Sequence, residues 1–143
     1  MWCKRILVAY DGSNPSRKAL ELASQIAAQD PSIEVILVHV MRLYPSGAAA
    51  IGMDTVVFDD ASDVLDELRA LADELPNPAT VDLLKGTSPA DLIVEHAKRN
   101  GCDLIIMGSR GKGGVKGYLG SVSYAVTKES PFTVLIAKEG DDR

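Results

Sequence analysis

The fold class this sequence predicts is α/β, an open, doubly wound parallel sheet of five strands, and two observations predict it. Short apolar runs alternate along the chain with segments whose apolar residues recur at helical spacing. The runs carry no polar alternation, so each strand is covered on both faces, as parallel strands are. Right-handed crossovers then place any ligand outside the carboxyl ends of the strands, where strand order reverses.

The first strand is Ile6-Leu7-Val8-Ala9-Tyr10, entered through Lys4-Arg5 and ended by Asp11-Gly12-Ser13. Ser13 or Asn14 caps the helix that follows, and Pro15 suits its first turn. Ala19, Leu22, Ala23, Ile26 and Ala27 give that helix one apolar stripe, and Asp30-Pro31 stops it. A second strand runs from Ile33 to Val40. Met41 to Phe58 is the least regular stretch, with Pro45, Gly47, Gly52 and three consecutive alanines, and it reads as a long functional loop that packs down on the domain. Asp59 to Leu75 is a helix with Ala61, Val64, Leu65, Leu68, Ala72 and Leu75 inward. Its acids Asp63, Asp66, Glu67, Asp73 and Glu74 read as a solvated face.

Pro76-Asn77-Pro78 breaks the chain before a short third strand, Thr80 to Leu84. The next helix is well signalled. Ser88 stands as cap, Pro89 comes first inside, Asp91 holds the capping-box position, and Asn100-Gly101 ends it. Ile93, Val94 and Ala97 face inward. Leu104 to Met107 is the fourth strand, Ser121 to Glu129 a last helix stopped by Ser130-Pro131, and Phe132 to Ala137 the last strand. The tail Glu139 to Arg143 is polar and expected to fray. No repeat or linker divides residues 1–143, which read as one domain.

Between the fourth strand and the last helix lies the segment that carries chemistry. Gly108, Gly111, Gly113, Gly114, Gly117 and Gly120 put six of the chain's 12 glycines within thirteen residues. Ser121-Val122-Ser123 then opens a helix whose first N–H groups lack intrahelical partners. Strand, glycine loop and helix start together make an anion-binding device, because backbone approaches closely and the helix dipole favours negative charge. No acid occurs between Asp103 and Glu129, whereas Arg110, Lys112, Lys116 and Lys128 are basic. In a chain of net charge −5 that reversal points to a phosphate-bearing ligand. Asp11, at the carboxyl end of the first strand, reads either as a simple turn residue or as an acceptor for ribose hydroxyls or an adenine amine.

Composition excludes several classes. Apolar content of 46% and charged content of 24% are those of an ordinary globular protein. The acidic balance argues against a nucleic-acid binder. No run reaches a membrane span and no secretory signal is present, so a cytoplasmic protein is expected. Cys3 and Cys102 share no metal or redox spacing and read as free thiols. His39 reads as a strand-end residue and His96 as a helix-surface one, with no metal spacing. A phosphate loop of the form G-x-x-x-x-G-K-[ST] fails at Ile106 and Gly113, a G-x-G-x-x-G fingerprint fails at Lys116, and no G-x-S-x-G elbow occurs.

The stretch Lys4-Arg5-Ile6-Leu7-Val8-Ala9-Tyr10-Asp11-Gly12-Ser13, the strand end Val38-His39-Val40, Gly108-Ser109-Arg110-Gly111 and Leu119-Gly120-Ser121-Val122-Ser123 resemble the universal stress protein family. So does Ser130-Pro131-Phe132-Thr133-Val134-Leu135-Ile136. The resemblance implies strand order 3-2-1-4-5, homodimers in many members, and ATP binding in a subgroup carrying G-x2-G-x9-G-[S/T]. Gly108, Gly111 and Gly120-Ser121 match that motif, Asp11 matches the acid near adenine and ribose, and Val40 matches the position whose backbone meets adenine. Ala9, Met107, Arg110, Val122 and Ser123 complete the implied site.

One departure stands out: only eight residues, Lys112 to Leu119, separate Gly111 from Gly120. The missing residue removes up to ~3.5 Å of reach, which Gly113, Gly114 and Gly117 are able to absorb. Three functions stay open on the sequence. The first is a regulatory, sensing dimer that binds ATP, with Mg2+ as companion and ADP or AMP as further ligands. The second is a slow ATP hydrolase or phosphotransferase, for which Asp11 is the only strong local acid. The third is a nucleotide-free interaction module. The dimer is expected through the last strand, Phe132 to Ala137, an apolar edge in the implied order that needs cover.

Overall fold

A computed structural model describes residues 2–43, 47–111 and 119–138, with backbone alone at 47–60. Pro45, the loop residues Lys112 to Gly117 and the tail Glu139 to Arg143 lie outside the described residues. The elements follow in the order β1 (Arg5–Ala9), α1 (Asn14–Ala27), β2 (Glu34–Arg42), α2 (Gly47–Glu74), β3 (Ala79–Gly86), α3 (Pro89–Arg99), β4 (Leu104–Gly108), α4 (Ser121–Glu129) and β5 (Thr133–Ala137). All four strand pairings are parallel, and the sheet order is β3-β2-β1-β4-β5, as the resemblance implied.

The continuous apolar strands explain the two-sided core. Along β1, Ile6 and Val8 point to the α1 and α2 side, where they meet Ala19, Ala23, Leu37, Leu68 and Ile106. Leu7 points to the α3 and α4 side, among Val38, Ile93, Val94, Ile105 and Val126. Such alternation sends successive residues to opposite faces, and here both faces are buried.

One sequence expectation is corrected. Met41 to Phe58 is not a long loop: β2 continues to Arg42, and α2 begins at Gly47. β2 is held past Val40 because β3 keeps pairing with it as far as Arg42 and Gly86. The alanines at 48–50 are strong helix formers, and Gly52 weakens a helix interior by only about 1 kcal/mol, so glycine there does not end the helix. The solvated acidic face of α2 also has an exception. Asp63, Asp66, Asp73 and Glu74 are exposed, but Glu67 accepts a hydrogen bond from the Tyr10 hydroxyl and pairs with Arg17 Nη2 at 3.3 Å.

Cap positions follow the sequence. Ser13 caps α1 and its Oγ accepts from Ser16 N at 3.3 Å. Ser88 caps α3 by position, without a side-chain bond. Gly101, past the end of α3, has φ +65°, the left-handed conformation that favours glycine there. Both cysteines are free and buried. Burial pushes the Cys102 thiol up to about 11 and raises that of Cys3 as well, which keeps both protonated and unreactive near neutral pH.

Candidate functional site

The sheet opens into a cleft at its carboxyl edge. β1 pairs with β2 only as far as Ala9 and Val38, and with β4 only as far as Ala9 and Met107. Beyond those rungs the central strands part, and a space of about 720 Å³ lies between them, within the range of small-molecule sites.

The floor of the cleft is the β1–α1 turn. Gly12 has φ +83°, so the chain can reverse directly after Asp11. Asp11 Oδ1 accepts from Ser13 N at 2.9 Å, and Asp11 N donates to Ser16 Oγ at 3.3 Å. Asp11 is therefore a turn residue, and it also lines the cleft: the two readings of its role are compatible.

The glycine segment forms the opposite side. Ser109 N donates to Ala137 O at 2.8 Å, and Gly120 N donates to Ser109 O at 2.7 Å, which returns the far end of the segment to the tip of β4. Tyr124 N takes Gly120 O at 2.9 Å as the first bond of α4, leaving the earlier N–H groups of that helix outside its own ladder. Ser123 Oγ donates to Gly108 O at 2.7 Å and fixes the helix against the strand. The glycines differ in what they do. A Cβ on Gly108 would lie 2.7 Å from Pro15 Cβ and 2.9 Å from Ser16 N, so this glycine lets α1 pack on β4. A Cβ on Gly111 would lie 2.7 Å from Asp11 Oδ2, so that glycine brings the segment up to the acid.

The third wall is β2. In a parallel pair, one residue sends both its N–H and its C=O to the same neighbour, and the direction alternates along the strand. Val38 O accepts from Tyr10 N at 2.9 Å. Val40 therefore turns its N–H and C=O to the β1 side too, one step past the last rung and into the cleft. It offers a donor and an acceptor side by side.

All eleven residues singled out from the sequence line this one space: Ala9, Asp11, Val40, Met107, Gly108, Arg110, Gly111, Gly120, Ser121, Val122 and Ser123. Pro89 and Ile93 of α3, Leu119, Ser16 and Tyr10 line it as well and were not anticipated. Ile93 carries the inward periodicity of α3, but which strand end it would cover was not readable without the sheet order. Asp11 is the one acid and Arg110 the one base among the described lining residues. Neither histidine lines the cleft. His39 Nδ1 lies 2.9 Å from Tyr10 O, and His96, expected on the surface, has its ring half-buried with Nε2 at 2.9 Å from Asp82 Oδ2.

The sequence profile of the universal stress protein family matches residues 3–138. The chain belongs to that family. Among its relatives, the stress response protein NhaX of Bacillus subtilis (strain 168) is 32% identical, over 94% of this chain and 97% of NhaX. Among solved structures, the protein MJ0577 superposes with a TM-score of 0.80 at 26% identity, covering 99% of this chain and all of its own. A universal stress protein in complex with cAMP superposes with a TM-score of 0.70 at 26% identity, covering 98% of this chain and 100% of the other. An Arabidopsis thaliana family member with AMP bound shares the fold, with a TM-score of 0.73 at 20% identity over 97% of this chain and 94% of its own. No helix among the described residues is long and apolar enough to cross a membrane.

Proposed function

We propose that this universal stress protein binds an adenine nucleotide in the cleft and acts as a regulatory or sensing module rather than as a catalyst. The observation that carries the reading is the meeting of three kinds of group around one space: the Val40 backbone pair, the Asp11 carboxylate, and the first N–H groups of α4. The C=O and N–H of Val40 match the amine and ring nitrogen of an adenine edge. Asp11 is an acceptor for ribose hydroxyls. The α4 start, Gly111 and Arg110 suit phosphate. The AMP and cAMP bound by structural neighbours support the same ligand class. ATP is the ligand we assign, with ADP and AMP as weaker alternatives. Mg2+ would come with the phosphates and be held by their oxygens and water.

Residues 1–143 act in this reading as one cytoplasmic domain that forms a homodimer. β5 stands at the sheet edge, with Thr133 and Leu135 exposed and neither charge nor proline between Phe132 and Ala137. An edge of this kind is normally paired or covered. Pairing with its copy would do both.

The test is the ligand content of purified protein, released by denaturation and identified by mass spectrometry, followed by calorimetry with ATP, ADP and AMP. Asp11→Ala should weaken all three alike, because its contacts do not involve the terminal phosphate. A loss confined to ATP would assign Asp11 to metal or phosphate instead. Absence of any binding, even with magnesium, would overturn the nucleotide reading. Sedimentation tests the dimer: Leu135→Lys should give monomer, and a wild type that is monomeric at tens of micromolar (~10⁻⁵ M) removes it.

A further inference from the structure

The parallel ladder between β1 and β2 stops one rung earlier than β2 itself would allow, and a side chain meets the carbonyl where the next rung would form. After Tyr10 N donates to Val38 O, the next rung would run from Val40 N–H to Tyr10 O. That carbonyl is held instead by the His39 ring, with Nδ1 at 2.9 Å. A carbonyl only accepts, so Nδ1 carries the proton and donates. His39 sits half-buried beside Val40 and does not line the cleft.

We infer that His39 is the positioning residue for base recognition: by occupying the Tyr10 carbonyl, it keeps the Val40 N–H available to a purine edge and makes the site select a 6-amino purine. The inference rests on the nucleotide reading above and adds its specificity. Adenine presents an acceptor at N1 and a donor at its 6-amino group, which match the Val40 N–H and C=O. Hypoxanthine presents the reverse, a donor at N1 and an acceptor at O6, so each contact is lost. With His39 gone, the Val40 N–H closes on Tyr10 O, the ladder gains a rung, and the base edge loses its donor. The same bond fixes the residue before Asp11, so the wall and floor of the cleft are set together.

The experiment is calorimetry of ATP and inosine triphosphate on the wild-type chain, His39→Leu and His39→Asn, with inorganic tripolyphosphate as a probe of the phosphate end. Asparagine places an amide nitrogen where Nδ1 stands; leucine places no donor there. The wild type should prefer ATP over inosine triphosphate by tenfold or more. His39→Leu should lose most of that preference with tripolyphosphate affinity unchanged, and His39→Asn should restore it. A merely structural role would weaken all three ligands together and would not be rescued in this pattern. Where leucine prevents folding, His39→Gln carries the same comparison, because its amide lies one carbon too far. A leucine variant with undiminished ATP preference overturns the inference and leaves the nucleotide reading standing. A wild type that binds tripolyphosphate but neither nucleotide overturns the base assignment, and one that binds none of the three overturns the nucleotide reading itself.

Discussion

The two ends of the sheet are built from the same five strands and treat their backbone in opposite ways. At the amino ends, side chains take up the polar groups. Asp103 Oδ2 accepts from Lys4 N and Arg5 N at 2.7 and 3.0 Å, and Arg5 pairs with Glu34 while donating to Asn100 O at 2.9 Å. Asn77, buried in the Pro-Asn-Pro break, directs its amide to Ala27 O, Asp30 O and Ile33 O at 3.0, 2.9 and 3.0 Å. A cavity of about 300 Å³ remains there, but Arg5 and Glu34 in its wall already neutralise each other. At the carboxyl ends the described lining side chains are small or apolar apart from Tyr10, Asp11 and Arg110, and backbone donors and acceptors turn into the space. One end spends its polar groups on closing the fold; at the other, beyond the turn and cap bonds, the Val40 backbone pair and the first N–H groups of α4 face a cleft. The comparison teaches that stability and binding should be separable by mutation.

The largest expected effect lies at the closed end. Asn77→Ala removes the two amide protons that Ala27 O, Asp30 O and Ile33 O share, a cost of about 2 kcal/mol at roughly 1 kcal/mol per proton donated. For a chain of this size that lowers the melting temperature by about 7 °C. Asn77 Oδ1 is buried without a partner among the described residues, so alanine also removes one unsatisfied acceptor, which caps the loss. ATP affinity should stay within about twofold (~0.4 kcal/mol). An affinity that falls in step with melting temperature would break the separation.

Much of this was legible in the sequence, and most of the exceptions share a cause. Strands were readable because a two-sided core demands uninterrupted apolar runs, and the cleft because glycine, serine and basic residues cluster between β4 and α4. Asn77 was not readable, since Pro76-Asn77-Pro78 announces a turn and nothing local says that its amide reaches carbonyls 44 to 50 residues away. Gly108 was assigned to phosphate, yet its closest demand comes from Pro15 and Ser16 of α1. His39 looked like an ordinary strand end because its contact with Tyr10 O depends on which strand lies beside it. The first turns of α2 were missed because Gly47 and Gly52 signal loops locally, while the alanines between them favour helix. Apart from that local conflict in α2, what the sequence hid is set by contacts between distant segments.

At the open end the comparison sharpens further, because its glycines should divide. Gly108→Ala puts a Cβ 2.8 Å from the Pro15 backbone carbon, where flexible side chains cannot yield. Overpacking of that kind costs about 2 kcal/mol of stability, so Gly108 should behave like a residue of the closed end. Gly111→Val and Gly120→Val should instead weaken ATP binding by tenfold or more (~1.4 kcal/mol) with the domain still folded and a smaller change in melting temperature than Gly108→Ala. At 111 the new Cβ meets the end of the Asp11 side chain, and at 120 it lies 3.2 Å from Arg110 Cα. Calorimetry and thermal melts on the three variants separate the two classes. Unchanged ATP affinity in both valine variants would move the phosphate site away from this segment.

Tyr10 tests the comparison within one residue, since it lines the cleft while its ring lies in the core on the α1 and α2 side. Its hydroxyl donates to Glu67 Oε1, which also pairs with Arg17 Nη2 at 3.3 Å. Burial, then the Glu67 hydrogen bond, pushes the phenol up to about 12. An unfolded tyrosine loses its proton near 10. Between those values the folded chain holds a proton that the unfolded chain has lost, so stability falls as pH rises. The contribution is complete below about pH 10 and gone above about pH 12. Cys102, raised to about 11, adds a decline of the same sign that starts near 9. Tyr10→Phe at neutral pH should cost only about 1 kcal/mol, the hydrogen bond alone, because Arg17 still answers the Glu67 charge. Its stability should then fall less steeply than wild type between pH 10 and 12, with the Cys102 slope left in place. ATP affinity should not change, since the hydroxyl points away from the cleft. Denaturant melts across pH 7 to 12, paired with calorimetry at neutral pH, read both quantities. Parallel slopes in the two proteins would remove the buried phenol from the account, and a loss of ATP binding would show that the α1–α2 face shapes the cleft after all.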